Sequence, residues 1–143
     1  MIAALLLLQA AACTPAQVAK DTPAGWASPA DAADGGALAI GRAATVALVT
    51  GARPAVAPGK PGAASASLGF VVPRAGRWRV SLDSGVWVDV VRDGRAVASA
   101  AHGHGAACGG VRKRVEFELG AGRYVLQLSG AAGVRVRAMV SPA

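Results

Sequence analysis

Apolar and polar side chains alternate along most of the chain, and this alternation limits the possible folds more than any other feature. In residues 77–82, for example, Trp78, Val80 and Leu82 share one face, while the polar side chains between them share the other. A period of two is typical of a β-strand with one buried face, because successive side chains of a strand point to opposite sides. A helix would need apolar residues three and four positions apart, and no segment of normal helix length has that spacing.

Eight segments carry the alternation, and turns rich in glycine, proline or aspartate separate them. Asp93 and Gly94, for instance, are a two-residue hairpin signal between two of these segments. The chain has 143 residues, which is enough for one domain. We therefore predict an all-β fold, a single antiparallel β-sandwich or jelly roll of about eight strands over residues 37–143. The predicted strands are residues 39–49, 65–72, 77–82, 86–91, 96–100, 114–119, 124–128 and 134–140.

The N-terminus has the pattern of an export signal. Residues 2–8 are a continuous apolar run, too short to span a bilayer as a helix, and three alanines precede Cys13. We expect residues 1–12 to be a signal peptide and the protein to be exported. Cleavage after Ala12 would give a secreted or periplasmic protein. Alternatively, the Ala-Ala-Ala-Cys stretch resembles the lipobox of bacterial lipoproteins, which implies lipidation of Cys13 and anchoring to the outer membrane.

Residues 13–36 differ from the rest of the chain. They contain three prolines, scattered alanine and aspartate, and no period of either 2 or 3.6. We predict that this segment is a flexible linker or tether. Trp26 is its only large apolar side chain, and it either docks on the domain or is an exposed ring.

The charge is strongly positive and unevenly distributed. The net charge is +7; one lysine and three aspartates lie before residue 35, and fourteen basic and five acidic residues follow. A basic domain of this kind is attracted to polyanions. Paired arginines on strands stand side by side and can bridge phosphates or carboxylates. The candidate anion-binding residues are Arg77, Arg79, Arg112, Lys113, Arg114, Arg135 and Arg137.

The strand faces that carry these arginines carry no aromatic side chains for stacking on bases, so no nucleic-acid partner is expected. An anionic envelope lipid or an acidic polysaccharide is the predicted partner, with membrane contact only through a lipid anchor. The alternative is a solvated polar face in which Glu116 and Glu118 pair with the arginines.

One loop, residues 101–114, holds both histidines and Cys108. Two histidines at positions i and i+2 of an extended backbone point the same way, so His102 and His104 could bind one metal ion, with Cys108 completing the site. Nitrogen and sulfur donors suit Cu or Zn, and Fe is a lesser candidate. No catalytic residue is assigned.

Other interpretations of this loop stay open. It could be a glycine-rich connection with solvent-facing histidines and a buried cysteine. Cys108 could form a disulfide with Cys13 or with another protein, or a nucleophilic pair with one of the histidines. Calcium is a separate possibility, because acidic turns of β-sandwiches can bind Ca²⁺; the aspartates concerned are Asp83, Asp89 and Asp93.

Two stretches echo each other, AGRWRVSL at residues 75–82 and AGRYVLQL at residues 121–128, and WVDVV follows the first. This pattern resembles the β-sandwich modules appended to secreted bacterial enzymes, such as the pre-peptidase C-terminal domain. Together with HGHGAAC and VRKRVEFEL, residues 65–130 are similar to small exported alphaproteobacterial proteins, some of them labelled homogentisate 1,2-dioxygenase. The resemblance implies a sandwich fold and export, and the label implies a metal-dependent dioxygenase.

From these observations we expect an exported, non-catalytic β-sandwich protein of the cell envelope that binds an anionic surface or ligand through a basic face. The alternative is a metal-binding protein or a metal-dependent, oxygenase-like enzyme that uses the HGHGAAC loop.

Overall fold

The computed structural model describes residues 12–143 and has the predicted architecture, a β-sandwich of two sheets. One short helix, α1, precedes the strands. The elements are α1 (Pro15–Asp21), β1 (Ala30–Ala33), β2 (Ala44–Ala47), β3 (Val49–Thr50), β4 (Ala64–Val72), β5 (Gly76–Leu82), β6 (Trp87–Arg92), β7 (Arg95–Ala96), β8 (Ala101–His104), β9 (Lys113–Leu119), β10 (Gly122–Ala131) and β11 (Arg135–Pro142).

The two sheets have six and five strands. The strand order is β1-β2-β11-β5-β9-β8 in the six-stranded sheet and β3-β4-β10-β6-β7 in the five-stranded sheet. All named strand pairs are antiparallel except β1 with β2. The apolar faces of the two sheets enclose one main core, in which Trp78, Phe117, Leu68 and Leu126 are among the largest buried side chains. Trp78, Val80 and Leu82, which the sequence pattern placed on one apolar face, all lie in this core.

The two echoing stretches build equivalent corners, one in each sheet. Trp78 Nε1 donates to the Arg74 carbonyl oxygen at 3.2 Å, and Tyr124 Oη donates to the Gly120 carbonyl oxygen at 2.9 Å. In both cases the ring bonds to the turn four residues earlier. An arginine guanidinium also lies about 5 Å from each ring centre. The two similar stretches therefore form the same local structure at the start of β5 and of β10, in which an aromatic ring is bonded to the preceding turn.

Residues 12–143 form eleven strands instead of about eight. The predicted strand over residues 39–49 is divided between the sheets as β2 and β3. Two further strands, β1 and β8, were not predicted from the sequence. Their residues are alanine, aspartate, glycine and histidine, which carry no apolar alternation, so the pattern does not distinguish these short edge strands from loops.

Residues 13–36 are not the flexible tether that we expected. A capping box of Thr14 and Gln17 begins α1. Trp26 is buried against Ala43, Val111 and Met139 on the outer side of the six-stranded sheet. Beyond it, β1 pairs with β2, so the sandwich begins at β1 and not at residue 37. This packing depends on one aromatic ring and a run of small residues, for which sequence periodicity offers no signal.

The predicted signal peptide, residues 1–12, lies outside the described residues except for its last position. No helix among residues 12–143 combines the length and apolar character that crossing a membrane requires.

Candidate functional site

The predicted basic face on β5 and β9 is largely neutralised by glutamates. Arg77 Nε and Arg79 Nη2 each lie 2.8 Å from a carboxylate oxygen of Glu116. Glu118 is within 3.9 Å of Arg77. The hydrogen bond from Arg79, together with the positive charges of both arginines, lowers the pKa of Glu116 below its ordinary value. The glutamates thus occupy the positions in which an external anion would have to bind.

Other predicted anion-binding residues have different roles. Arg137 lies over the Trp26 ring, 5.5 Å from its centre, and donates from Nη1 to the Trp26 carbonyl oxygen. Arg114 Nε donates to the His104 carbonyl oxygen at 3.0 Å. Arg135 is exposed at the start of β11. Several of the seven residues are thus already bonded to other groups of the protein.

The two histidines lie together on β8, an edge strand of the six-stranded sheet. His102 is in register with Val115, and His104 is in register with Lys113. His102, His104 and Lys113 therefore lie on the same side of the sheet as the core residue Val115, the side that faces the sandwich interior. His102, His104, Arg112 and Lys113, with Gly85 and Gly103, line a cavity of about 240 Å³. We call the four basic side chains the cationic rim.

Cys108, the third candidate metal ligand, is in a disulfide with Cys13, with a Cα–Cα distance of 5.7 Å. Its backbone N–H donates to Asp21 Oδ2 at 3.0 Å, which further ties the loop to α1. The Cys108 sulfur is therefore neither a thiolate ligand nor a nucleophile in this state. Because a disulfide sulfur cannot also carry a thioether-linked lipid, the disulfide and lipidation of Cys13 are alternative fates. In the described part of the chain, no three His, Cys, Asp or Glu side chains are grouped as a metal site would require.

The three aspartates considered for calcium lie in separate local structures. Asp83 Oδ1 accepts from the backbone N–H of Arg137, and Asp93 lies in the hairpin turn with a φ of 53°. Asp89 is buried on the outer side of β6, where its Oδ2 accepts from three protein donors. Each has a structural role of its own.

A larger cavity, of about 520 Å³, lies beside the cationic rim and shares His102 and Lys113 with it. It opens where the edge formed by β6 and β7 faces the edge formed by β8 and β9. Core residues Val88, Val115 and Phe117 are among its lining residues. Trp87 also lines it and is 39% exposed. The sequence did not reveal this cavity, because its walls come from two different sheets.

Lys113 is the residue at which the two cavities meet. It occupies an inward position of β9, with the same parity as Val115 and Phe117, whereas Arg114 lies on the outer side. Its Nζ donates to the Val86 carbonyl oxygen at 2.9 Å and lies 5.7 Å from the centre of the Trp87 ring. Burial lowers the pKa of Lys113, and the nearby charge of Lys60 lowers it further. The strand parity visible in the sequence was the signal that could have separated Lys113 from its basic neighbours.

Comparison of the chain with protein-family models, with curated proteins and with solved structures gives no match.

Proposed function

We propose that this protein is an exported, non-catalytic β-sandwich protein of the cell envelope that binds anionic groups at the cationic rim. The observation that carries this proposal is the composition of the smaller cavity. Two imidazoles, a guanidinium and an ammonium group line it, and none of its described lining residues is Asp or Glu. An anion bound there would meet donors from several directions, and Arg and Lys make strong, charge-assisted hydrogen bonds to phosphate and carboxylate.

The electrostatics of Lys113 support the same assignment. Its ammonium group is partly desolvated and lies near a second lysine, and both factors disfavour its charged form. A bound anion would offset both effects, so binding and protonation of Lys113 favour each other. Arg77 and Arg79 offer no comparable gain, because Glu116 already pairs with both.

The alternative function, a metal-binding protein or oxygenase-like enzyme, has one supporting feature. His102 and His104 line a common cavity. The charges of Arg112 and Lys113 in that cavity oppose a metal cation, however, and the disulfide occupies the sulfur of Cys108. These features favour an anion over a cation.

Binding to vesicles of defined charge tests the proposal. We expect the purified protein to bind vesicles that contain an anionic phospholipid, and we expect added salt to weaken this binding because salt screens exposed charges. The variant Arg112→Gln should bind about fivefold more weakly, since one cation near an anionic surface contributes about 1 kcal/mol.

The matched control is Arg123→Gln, which removes the same charge at the start of β10, toward the opposite end of the sandwich from the rim. Equal losses in the two variants, or binding that does not respond to salt, would contradict a specific site at the rim. Binding to an acidic polysaccharide but not to vesicles would identify the other class of envelope anion. Stoichiometric Cu²⁺ or Zn²⁺ retained after desalting, and lost in His104→Ala, would favour the metal alternative.

A further inference from the structure

The larger cavity adjoins the hydrophobic core at one side of the sandwich. Val115 and Phe117 are core residues of β9, and Val88 is a core residue of β6, yet all three also line the cavity. The segment between β7 and β8, residues 97–100, crosses from one sheet to the other and forms a wall with Val97 and Ala98. The result is a concave apolar space of about 520 Å³, within the range of about 300–1,000 Å³ that is typical of small-molecule sites.

Two basic side chains lie at one end of this space. Lys113 and His102 line both cavities, so the larger, apolar cavity continues into the cationic rim. Trp87 lies beside Lys113 and places a partly exposed aromatic ring at the mouth. Apolar walls that lead to basic side chains, among them Lys113 and Arg112, are complementary to a molecule with an apolar body and one anionic end.

Asp89 is the one acidic residue among the described residues that line the cavity. Its Oδ2 accepts from Gly59 N at 3.0 Å, from Trp87 Nε1 at 3.1 Å and from Gln127 Nε2 at 3.0 Å. These three protein donors hold the carboxylate in place. Asp89 therefore orients the Trp87 ring through its indole N–H.

We propose that the larger cavity binds a small monoanionic amphiphile, such as an alkyl carboxylate, with its chain against Val88, Val115 and Phe117 and its carboxylate at Lys113. The apolar chain gains from burial, and the carboxylate neutralises a partly desolvated ammonium group. This inference rests on the proposed function for its anionic end, while the apolar subsite is an independent addition. It also gives a reason for the exposure of Trp87, which the ligand would cover.

Intrinsic fluorescence provides the binding assay, because Trp26 and Trp78 are buried and Trp87 is partly exposed. We expect decanoate, below its micelle concentration, to reduce acrylamide quenching of the purified protein. The change should disappear in Trp87→Phe. Over the series from hexanoate to decanoate, each added methylene should tighten binding about fourfold, the equivalent of about 0.8 kcal/mol. Affinities that do not depend on chain length would overturn the apolar subsite.

Chemical labelling locates the carboxylate. The chain has three lysines, Lys20, Lys60 and Lys113, so acylation of each can be followed by mass spectrometry. Decanoate should protect Lys113 and leave Lys20, on α1, as reactive as before. Lys113→Gln should reduce decanoate affinity to that of decanol, whereas the control Lys20→Gln should not change it. Protection of neither lysine, or equal protection of both, would overturn the assignment without requiring any variant to fold.

The two proposals fail in different ways. If decanoate binds no better than acetate while Arg112→Gln still weakens vesicle binding, the amphiphile site is wrong and the proposed function stands. If decanoate binds with the expected chain-length dependence but Arg112→Gln leaves vesicle binding unchanged, the envelope function is wrong and the amphiphile site stands. If neither ligand binds, both are wrong.

Discussion

Asp89 and Gln127 form a buried polar contact on the outer side of the five-stranded sheet, and its removal should be costly. Their positions are in register on β6 and β10, and each fastens the proline- and glycine-rich loop of residues 51–63. Gln127 bonds both backbone groups of Val56, while Asp89 accepts from the backbone N–H of Gly59. The substitution Asp89→Ala would leave three donors without this acceptor.

The cost follows from where those donors lie. Trp87 is 39% exposed and Gly59 is half-buried, so we expect water to replace Asp89 as their acceptor. Gln127 is 1% exposed, so the N–H that it donates to Asp89 has no access to water. A buried donor left without a partner costs about 1–3 kcal/mol, and the lost charged hydrogen bonds add to this. We expect Asp89→Ala to lower the free energy of unfolding by about 3 kcal/mol.

Urea denaturation followed by circular dichroism measures this change, and an unchanged m-value would show that the unfolded state is not altered. Asp89→Asn is the control, because it keeps one acceptor oxygen, and we expect a loss of about 1 kcal/mol. If the unpaired Gln127 amide is the main cause of the loss of stability, the double variant Asp89→Ala with Gln127→Leu should show a coupling energy of about 1–2 kcal/mol. A loss below about 0.5 kcal/mol in Asp89→Ala, or additive effects in the double variant, would refute this reasoning.

Three further changes test other parts of the structure. Reduction of the Cys13–Cys108 disulfide should lower the free energy of unfolding by about 3–5 kcal/mol, because the bond joins residues 95 apart in sequence. Equal urea midpoints with and without reductant would contradict this. Glu116→Gln should destabilise the protein at neutral pH, because the carboxylate stabilises the fold when it is ionised. The difference from wild type should disappear as the pH falls from 4.5 through the lowered folded pKa of Glu116. A difference that persists in acid would contradict the pairing with Arg79. Trp26→Ala should cost about 3–5 kcal/mol in thermal or urea unfolding, since it empties the contact with Met139, whereas a flexible tether would predict no loss.

The strands of the core were predictable from the sequence because their signal is local. The parity of Trp78, Val80 and Leu82 identifies a buried face without any knowledge of the neighbouring strand, and the structure has this face in the core. The same rule applies to Lys113, although its neighbours in sequence, Arg112 and Arg114, are also basic. Its parity with Val115 places it on the inner side of β9, as the structure has it.

The docking of residues 13–36 was not predictable in this way. Trp26 is surrounded by small and polar residues in sequence, and its partners Val111 and Met139 lie more than eighty residues away. Burial of a single ring against the outer side of a sheet leaves no periodic pattern. The edge strand β8 is similar, since Ala101 to His104 owes its extended form to pairing with β9 and not to its own composition.

The sequence by itself determined that the chain forms strands with one apolar face, that these faces must pack on each other, and that basic side chains are in excess. Only the tertiary structure decided which of those charges are neutralised, whether the two cysteines meet and where a cavity adjoins the core. A period-two pattern assigns a side chain to a face, but it carries no information about which strand lies beside it. The pairing of Arg79 with Glu116, the Cys13–Cys108 disulfide and the cavity between β6 and β9 all depend on that adjacency.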